Sequence, residues 1–117
     1  FQDLDFHKLR KESIKLSDLF INMVERTCSD LHLESPIKSS ERGSQVSFSH
    51  PSGYAIMQAL IDRNIVGDFR APNIIRFGIT PLYINEEDII QTVKVLKDIL
   101  SKRLWDTPAY LNRKKVT

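Results

Sequence analysis

A long amphipathic pattern near the start of the chain is the feature that most constrains its fold. Apolar residues recur every three or four positions from Phe6 to about Leu31, which is the spacing of a helix with one buried face. They are Leu9, Leu16, Leu19, Phe20, Met23, Val24 and Cys28. At 1.5 Å per residue such a helix is about 38 Å long, which exceeds the width of a small domain. We therefore expect its first turns to contact another domain.

The composition is that of one ordinary globular domain. A chain of 117 residues with 41% hydrophobic residues is long enough to bury a core, which excludes full disorder and disfavours two separate cores. Seventeen Lys and Arg against fifteen Asp and Glu leave a net charge of +2, and both signs are scattered, so we expect no nucleic-acid partner. The longest stretch without these charged residues, 43–61, contains Ser, Gln, His and Pro, so we expect no membrane span.

Few residues indicate the cellular compartment of the protein or its processing. The lone Cys28 has no partner for an internal disulfide, which favours a reducing compartment such as the cytoplasm. The chain opens with Phe1, Gln2 and Asp3, without Met and without a signal-peptide pattern. We expect this start to be a truncation or cleavage point.

Two elements follow the first helix. After the break at Ser35 and Pro36 and a polar loop over 39–43, the alternation over 45–49 predicts a short, half-buried strand. Pro51 suits the first turn of a second helix, which continues to about Arg63. Asn64 tolerates the left-handed conformation that stops a helix.

The second half of the chain predicts a strand pair and a helix. An extended segment over 65–69 leads through a turn at 70–73 to a β-rich run at 74–79. Asn85 is a suitable N-cap for a helix over 86–103, and the acids at 86–88 favour its positive end. The tail from Leu104 is predicted to be short and polar, with a solvated basic cluster at 113–115. The order predicts an α+β fold in which helices cover one face of a small antiparallel or mixed sheet.

Most residues with chemical potential have a structural interpretation. His7, His32 and His50 are far apart and lack metal-ligand spacing. Cys28 lies on the apolar stripe, which predicts a buried side chain rather than a nucleophile. The dispersed glycines form no phosphate-binding loop.

Arg76 is the exception. Period two along the strand places Ile75, Phe77 and Ile79 on one face and Arg76 on the other, with Gly78. A guanidinium among apolar neighbours requires an anion, which is either an internal acid or a ligand. An internal ion pair is the simpler interpretation. Gly78 favours the interpretation that the anion is a ligand, because glycine leaves room beside the Arg76 side chain. The bidentate fork of a guanidinium suits a carboxylate.

Several stretches together resemble the C-terminal part of kynureninase, a pyridoxal-phosphate enzyme of the aspartate aminotransferase fold type. They include Leu9-Arg10-Lys11-Glu12-Ser13, Arg42-Gly43-Ser44-Gln45-Val46-Ser47-Phe48, Gly67-Asp68-Phe69-Arg70-Ala71-Pro72, Ile75-Arg76-Phe77-Gly78 and Thr80-Pro81-Leu82-Tyr83. Ser49 and Asn64 depart from the expected basic residue and glycine, and neither touches the Arg76 motif.

The resemblance implies the last quarter of a larger enzyme that cleaves kynurenine, or its hydroxylated form, to alanine and an anthranilate. Residues 1–32 would be a long helix linking the two domains, and 33–117 an α+β sandwich. By this resemblance Arg76 holds the substrate α-carboxylate. The large domain, which supplies the lysine and aspartate that hold pyridoxal phosphate, is absent. We therefore expect no cofactor bound by this chain alone, an upstream large domain as its partner, and a homodimer in the full enzyme.

Two alternatives remain open. Another pyridoxal-phosphate lyase or transaminase would keep the architecture but use other substrate contacts, and the motif over 67–83 argues against it. A free-standing binding or interaction module would keep the fold without the chemistry.

Overall fold

The computed structural model describes residues 6–36, 45–79, 81 and 84–112. Within these ranges the elements are helices α1 (Phe6–Thr27), α2 (Gly53–Asp62), α3 (Glu86–Ser101) and α4 (Pro108–Leu111), and strands β1 (His32–Leu33), β2 (Gln45–Ser49), β3 (Asp68–Arg70) and β4 (Ile74–Gly78). The strands form one antiparallel sheet in the order β1-β2-β4-β3. The predicted α+β class is confirmed.

The core lies between one face of the sheet and the helices. Val46 and Phe48 of β2 oppose Phe77 and Ile75 of β4, and all four are buried. Phe20 of α1 contacts the rings of Phe48 and Phe77 edge to face, with centroids 5.8 and 5.0 Å away. Because edge-to-face pairs are favourable beyond the area they bury, this trio fixes α1 against the two central strands.

The first helix is shorter than predicted. It ends at Thr27, whose hydroxyl donates to the Met23 carbonyl. Ser29 and Asp30 then form a turn closed by the Leu31 N–H on the Cys28 carbonyl, 3.0 Å long. The apolar stripe still reaches Cys28 and Leu31, because the turn returns both side chains to the core. The pattern therefore predicted burial correctly and the helix end wrongly.

The second helix begins two residues later than predicted. His50, Pro51 and Ser52 form a turn in which the Gly53 N–H donates to the His50 carbonyl and the Ser52 N–H donates to His50 Nδ1. The turn thereby satisfies the N–H groups of Ser52 and Gly53 at the helix start. At the other end Asn64 has a φ of 65°, which confirms the predicted left-handed stop.

The C-terminal segment differs from the polar tail that the sequence predicted. Trp105 is 8% exposed and belongs to the core. The four-residue helix α4 follows it, and the Tyr110 hydroxyl donates to Asp62 of α2 at 2.7 Å. One tryptophan and one tyrosine are enough to dock a segment whose average composition is polar. The basic cluster at 113–115 and the loop at 39–43 lie outside the described residues.

Candidate functional site

The face of the sheet that points away from the core is mainly polar. Alternate residues of β2, β3 and β4 point to this face because side chains alternate along a strand and cross-strand partners share a face. We call it the Arg76 face; it consists of Gln45, Ser47, Ser49, Asp68, Arg70, Ile74, Arg76 and Gly78. All are exposed or half-buried. The described helices contribute their buried residues to the opposite face.

Arg76 has an internal partner on this face. It stands directly opposite Asp68 in the β3–β4 register, and Nε and Nη2 donate to the two oxygens of the Asp68 carboxylate, both at 2.7 Å. The Arg76 side chain is 26% exposed and that of Asp68 is 53% exposed. The internal ion pair that the sequence left open is therefore present.

The pair keeps both groups charged. The hydrogen bonds from Arg76 lower the pKa of the Asp68 carboxyl, and the positive charges of Arg76 and Arg70 act in the same direction. The same bonds raise the pKa of Arg76. An ionised carboxylate is an acceptor only, and both oxygens of Asp68 already accept from Arg76.

A shallow groove of about 490 Å³ runs beside the pair. Its lining is Gln45, Val66, Gly67, Asp68, Arg76, Gly78 and Ile84. Val66 is 91% exposed, and a Cβ placed on Gly78 would meet nothing within 4 Å. The groove therefore places the Arg76–Asp68 pair beside apolar surface and open space.

The other candidate residues have structural surroundings. Cys28 is buried, and burial raises the pKa of its thiol. His32 opposes Ser49 in the β1–β2 register and His50 follows Ser49 directly. No group of three potential metal ligands occurs among the described residues. Asp88 forms a capping box with Asn85, which confirms the capping interpretation of the acids at 86–88.

Sequence reasoning did not single out Asp68. A hairpin signal was available, because the turn at 70–73 lies between two extended segments. Pairing the segments about this turn places Asp68 opposite Arg76. The choice among fifteen acids, however, depends on strand register, which the sequence pattern alone does not fix.

Comparisons with known proteins agree with this fold. A solved NifS-like protein superposes with a TM-score of 0.71 and 20% identity, over 82% of this chain and 29% of that one. An acetylornithine aminotransferase from Elizabethkingia anophelis gives a TM-score of 0.63 and 22% identity, over 82% and 25%. At these identities the likeness concerns the fold. The chain has the fold of the C-terminal small domain of pyridoxal-phosphate enzymes of fold type I.

Sequence comparison narrows this class. A family model for the kynureninase C-terminal domain matches residues 9–96. Kynureninases of Pseudomonas fluorescens and Burkholderia mallei (strain SAVP1) are 44% identical over 119 residues, covering 100% of this chain and 29% of their own length. The chain belongs to the kynureninase C-terminal domain family and spans less than a third of these relatives. No helix among the described residues is long and apolar enough to cross a membrane.

Proposed function

We propose that this chain is the C-terminal domain of a kynureninase, a pyridoxal-phosphate-dependent hydrolase that cleaves kynurenine or 3-hydroxykynurenine. The products would be alanine and anthranilate or 3-hydroxyanthranilate. The observation that carries the proposal is the 44% identity to curated kynureninases across the whole chain. Such a protein would act in the cytoplasm as a homodimer.

In this proposal Arg76 binds the substrate α-carboxylate. A guanidinium has five N–H donors in a planar fork, and Asp68 uses one edge of it. The other edge, formed by Nη1 and the second N–H of Nη2, makes no hydrogen bond within the described part of the chain. A planar carboxylate fits that edge with two parallel bonds. The contact would orient the amino acid, which is a positioning contribution to catalysis.

The cofactor and the rest of the active site would come from elsewhere in the full enzyme. No lysine lines the groove beside Arg76, so the described residues do not fit pyridoxal phosphate by themselves. We propose an upstream large domain that holds it and covers the Arg76 face. The first turns of α1 suit a link to that domain, because Phe6 is 77% exposed and burial begins only at Ser13.

Substitution of Arg76 in a full-length kynureninase carrying this segment tests the proposal. Arg76→Ala should raise KM for kynurenine by roughly 10- to 100-fold, because hydrogen bonds to charged groups are the strong ones. The absorbance of bound pyridoxal phosphate should be retained. Lys94→Ala removes a positive charge from an exposed position of α3, outside the Arg76 face, and is the control; its KM should stay close to that of the parent.

A non-catalytic binding module is the second candidate, and the Arg76–Asp68 pair is the observation that favours it, since the guanidinium already has an anionic partner. In that case Arg76 would be a structural residue. An unchanged KM in Arg76→Ala, with kynurenine still cleaved, would remove the carboxylate-binding role. A full-length protein that neither binds pyridoxal phosphate nor cleaves kynurenine would support the module instead.

A further inference from the structure

We infer that Asp68 is a positioning residue for Arg76: it holds the guanidinium by the Nε–Nη2 edge and thereby presents the Nη1 edge to the carboxylate of the substrate. The inference rests on the proposed role of Arg76. It concerns how that residue is oriented rather than whether it binds.

The strand register is the first observation behind it. Asp68 and Arg76 are directly opposite on neighbouring antiparallel strands, so their Cβ atoms are about 5 Å apart. An arginine is much longer than an aspartate, so a bidentate contact at this separation requires the arginine to turn its side edge toward β3. The two bonds of 2.7 Å show this arrangement. The end of the fork then points away from Asp68.

The surroundings of the pair are the second observation. Ser47, the partner of Arg76 on β2, is uncharged, so among the described residues Asp68 is the acid that holds the guanidinium. On the side of the groove, the space around Gly78 is open, since a Cβ placed there would meet nothing within 4 Å. The guanidinium is therefore anchored on the β3 side and accessible along the groove.

Exposure argues that the pair serves orientation more than stability. Asp68 is 53% exposed and lies on the three-residue strand β3. While this face is open to solvent, such a pair contributes little to the folding of the domain itself, because water and salt screen it. Fixing a long, flexible side chain before the ligand arrives, however, reduces the entropy that binding must overcome. Asp68 also places a negative charge beside the site, which disfavours ligands with a second anionic group next to the carboxylate.

The test is a pair of substitutions in the full-length enzyme that carries this segment. Asp68→Asn keeps the size of the side chain but loses the charge and one acceptor oxygen. We expect KM for kynurenine to rise about 3- to 10-fold, the effect of releasing one long side chain, with kcat nearly unchanged. The double variant Asp68→Asn with Arg76→Ala should have the same KM as Arg76→Ala alone. A merely structural role of Asp68 would not show this dependence on Arg76.

The control is Asp98→Asn, which breaks another exposed ion pair, with Lys102 at 2.9 Å on α3, and should leave KM unchanged. A urea-unfolding midpoint close to that of the parent shows that a variant is folded; if Asp68→Asn lacks it, Asp68→Ser takes its place. A KM that is unchanged or lower in the Asp68 variant, while Arg76→Ala raises it, overturns the inference about Asp68 and leaves the carboxylate-binding proposal standing. An unchanged KM in Arg76→Ala overturns the carboxylate-binding proposal itself.

Discussion

At the scale of single residues, Gly67 and Gly78 differ in what surrounds them although both line the groove. A Cβ on Gly67 would lie 2.7 Å from the backbone oxygen of Arg76 and 3.0 Å from Cε of Met57. A Cβ on Gly78 would meet no atom within 4 Å. The first glycine therefore allows the chain before β3 to pass close to β4, whereas the second only leaves space.

These surroundings predict different outcomes for the same substitution. Gly67→Ala should lower the free energy of unfolding by about 1–3 kcal/mol, because a backbone atom that cannot move away meets the new methyl group. Gly78→Ala should change it by less than about 0.5 kcal/mol. Urea unfolding of both variants measures the difference, and equal stabilities would contradict the close approach at Gly67.

Residue-level prediction succeeded where period two applies. Ile75, Phe77 and Ile79 are buried and Arg76 is not, as the alternation predicted. The partner of Arg76 could not be predicted from the alternation, because Asp68 becomes its neighbour only when β3 pairs with β4 in one register.

At the scale of elements, α3 shows how local sequence sets a helix start. The Asn85 side chain accepts from the Asp88 N–H and the Asp88 carboxylate accepts from the Asn85 N–H, both at 3.0 Å. Two backbone donors that a helix start leaves without intrahelical partners are thereby satisfied. Because all the participants lie within four residues, this start was readable from the sequence.

A single substitution should measure how much the capping box of α3 contributes to the free energy of unfolding. Asn85→Ala should cost about 0.5–2 kcal/mol of unfolding free energy, the usual effect of removing an N-cap acceptor. Gln91→Ala, at an exposed position in the same helix, should have little effect and serves as the control. A cost no greater than that of Gln91→Ala would mean that the capping box does not stabilise α3.

Elements defined by distant contacts were missed or misplaced. The two-residue strand β1 exists because His32 and Leu33 pair with Ser49 and Phe48 of β2, and nothing in so short a segment signals a strand. Likewise α4 follows a tryptophan whose burial depends on the rest of the core. Both are consequences of packing rather than of local preference.

At the scale of the whole molecule, His50 connects the sheet to the C-terminal segment. Its Nδ1 accepts from the Ser52 N–H, and its ring contacts Trp105 edge to face at 5.8 Å, with the Arg103 guanidinium 4.8 Å from the same tryptophan ring. Burial lowers the pKa of His50, the charge of Arg103 adds to this, and Asp30 opposes it. The folded protein thus favours neutral His50, whose Nδ1 lone pair is needed for the bond.

This predicts a loss of stability on mild acidification. Below the ordinary histidine pKa of about 6.5 the unfolded chain binds a proton at His50 more readily than the folded chain, so the free energy of unfolding falls as pH falls. Above that pH His50 is neutral in both states and contributes no pH dependence. Urea midpoints at about pH 7.5 and about pH 5.5 measure the effect of titrating a histidine. His50→Asn, which keeps an acceptor for Ser52 but does not titrate there, should show a smaller change; an equal change would assign the effect to other groups.

The sequence by itself determined the family, the α+β class, the buried faces of the main helices and strands, and the position of Arg76 opposite the core. These follow from periodicity, capping and local motifs, which act over a few residues. The tertiary structure alone decided the pairing of Arg76 with Asp68, the groove beside Gly78, the strand β1 and the burial of Trp105. Each depends on strand register or on the packing of segments far apart in the chain, and a register shift of one residue would place Arg76 on the other face of the sheet.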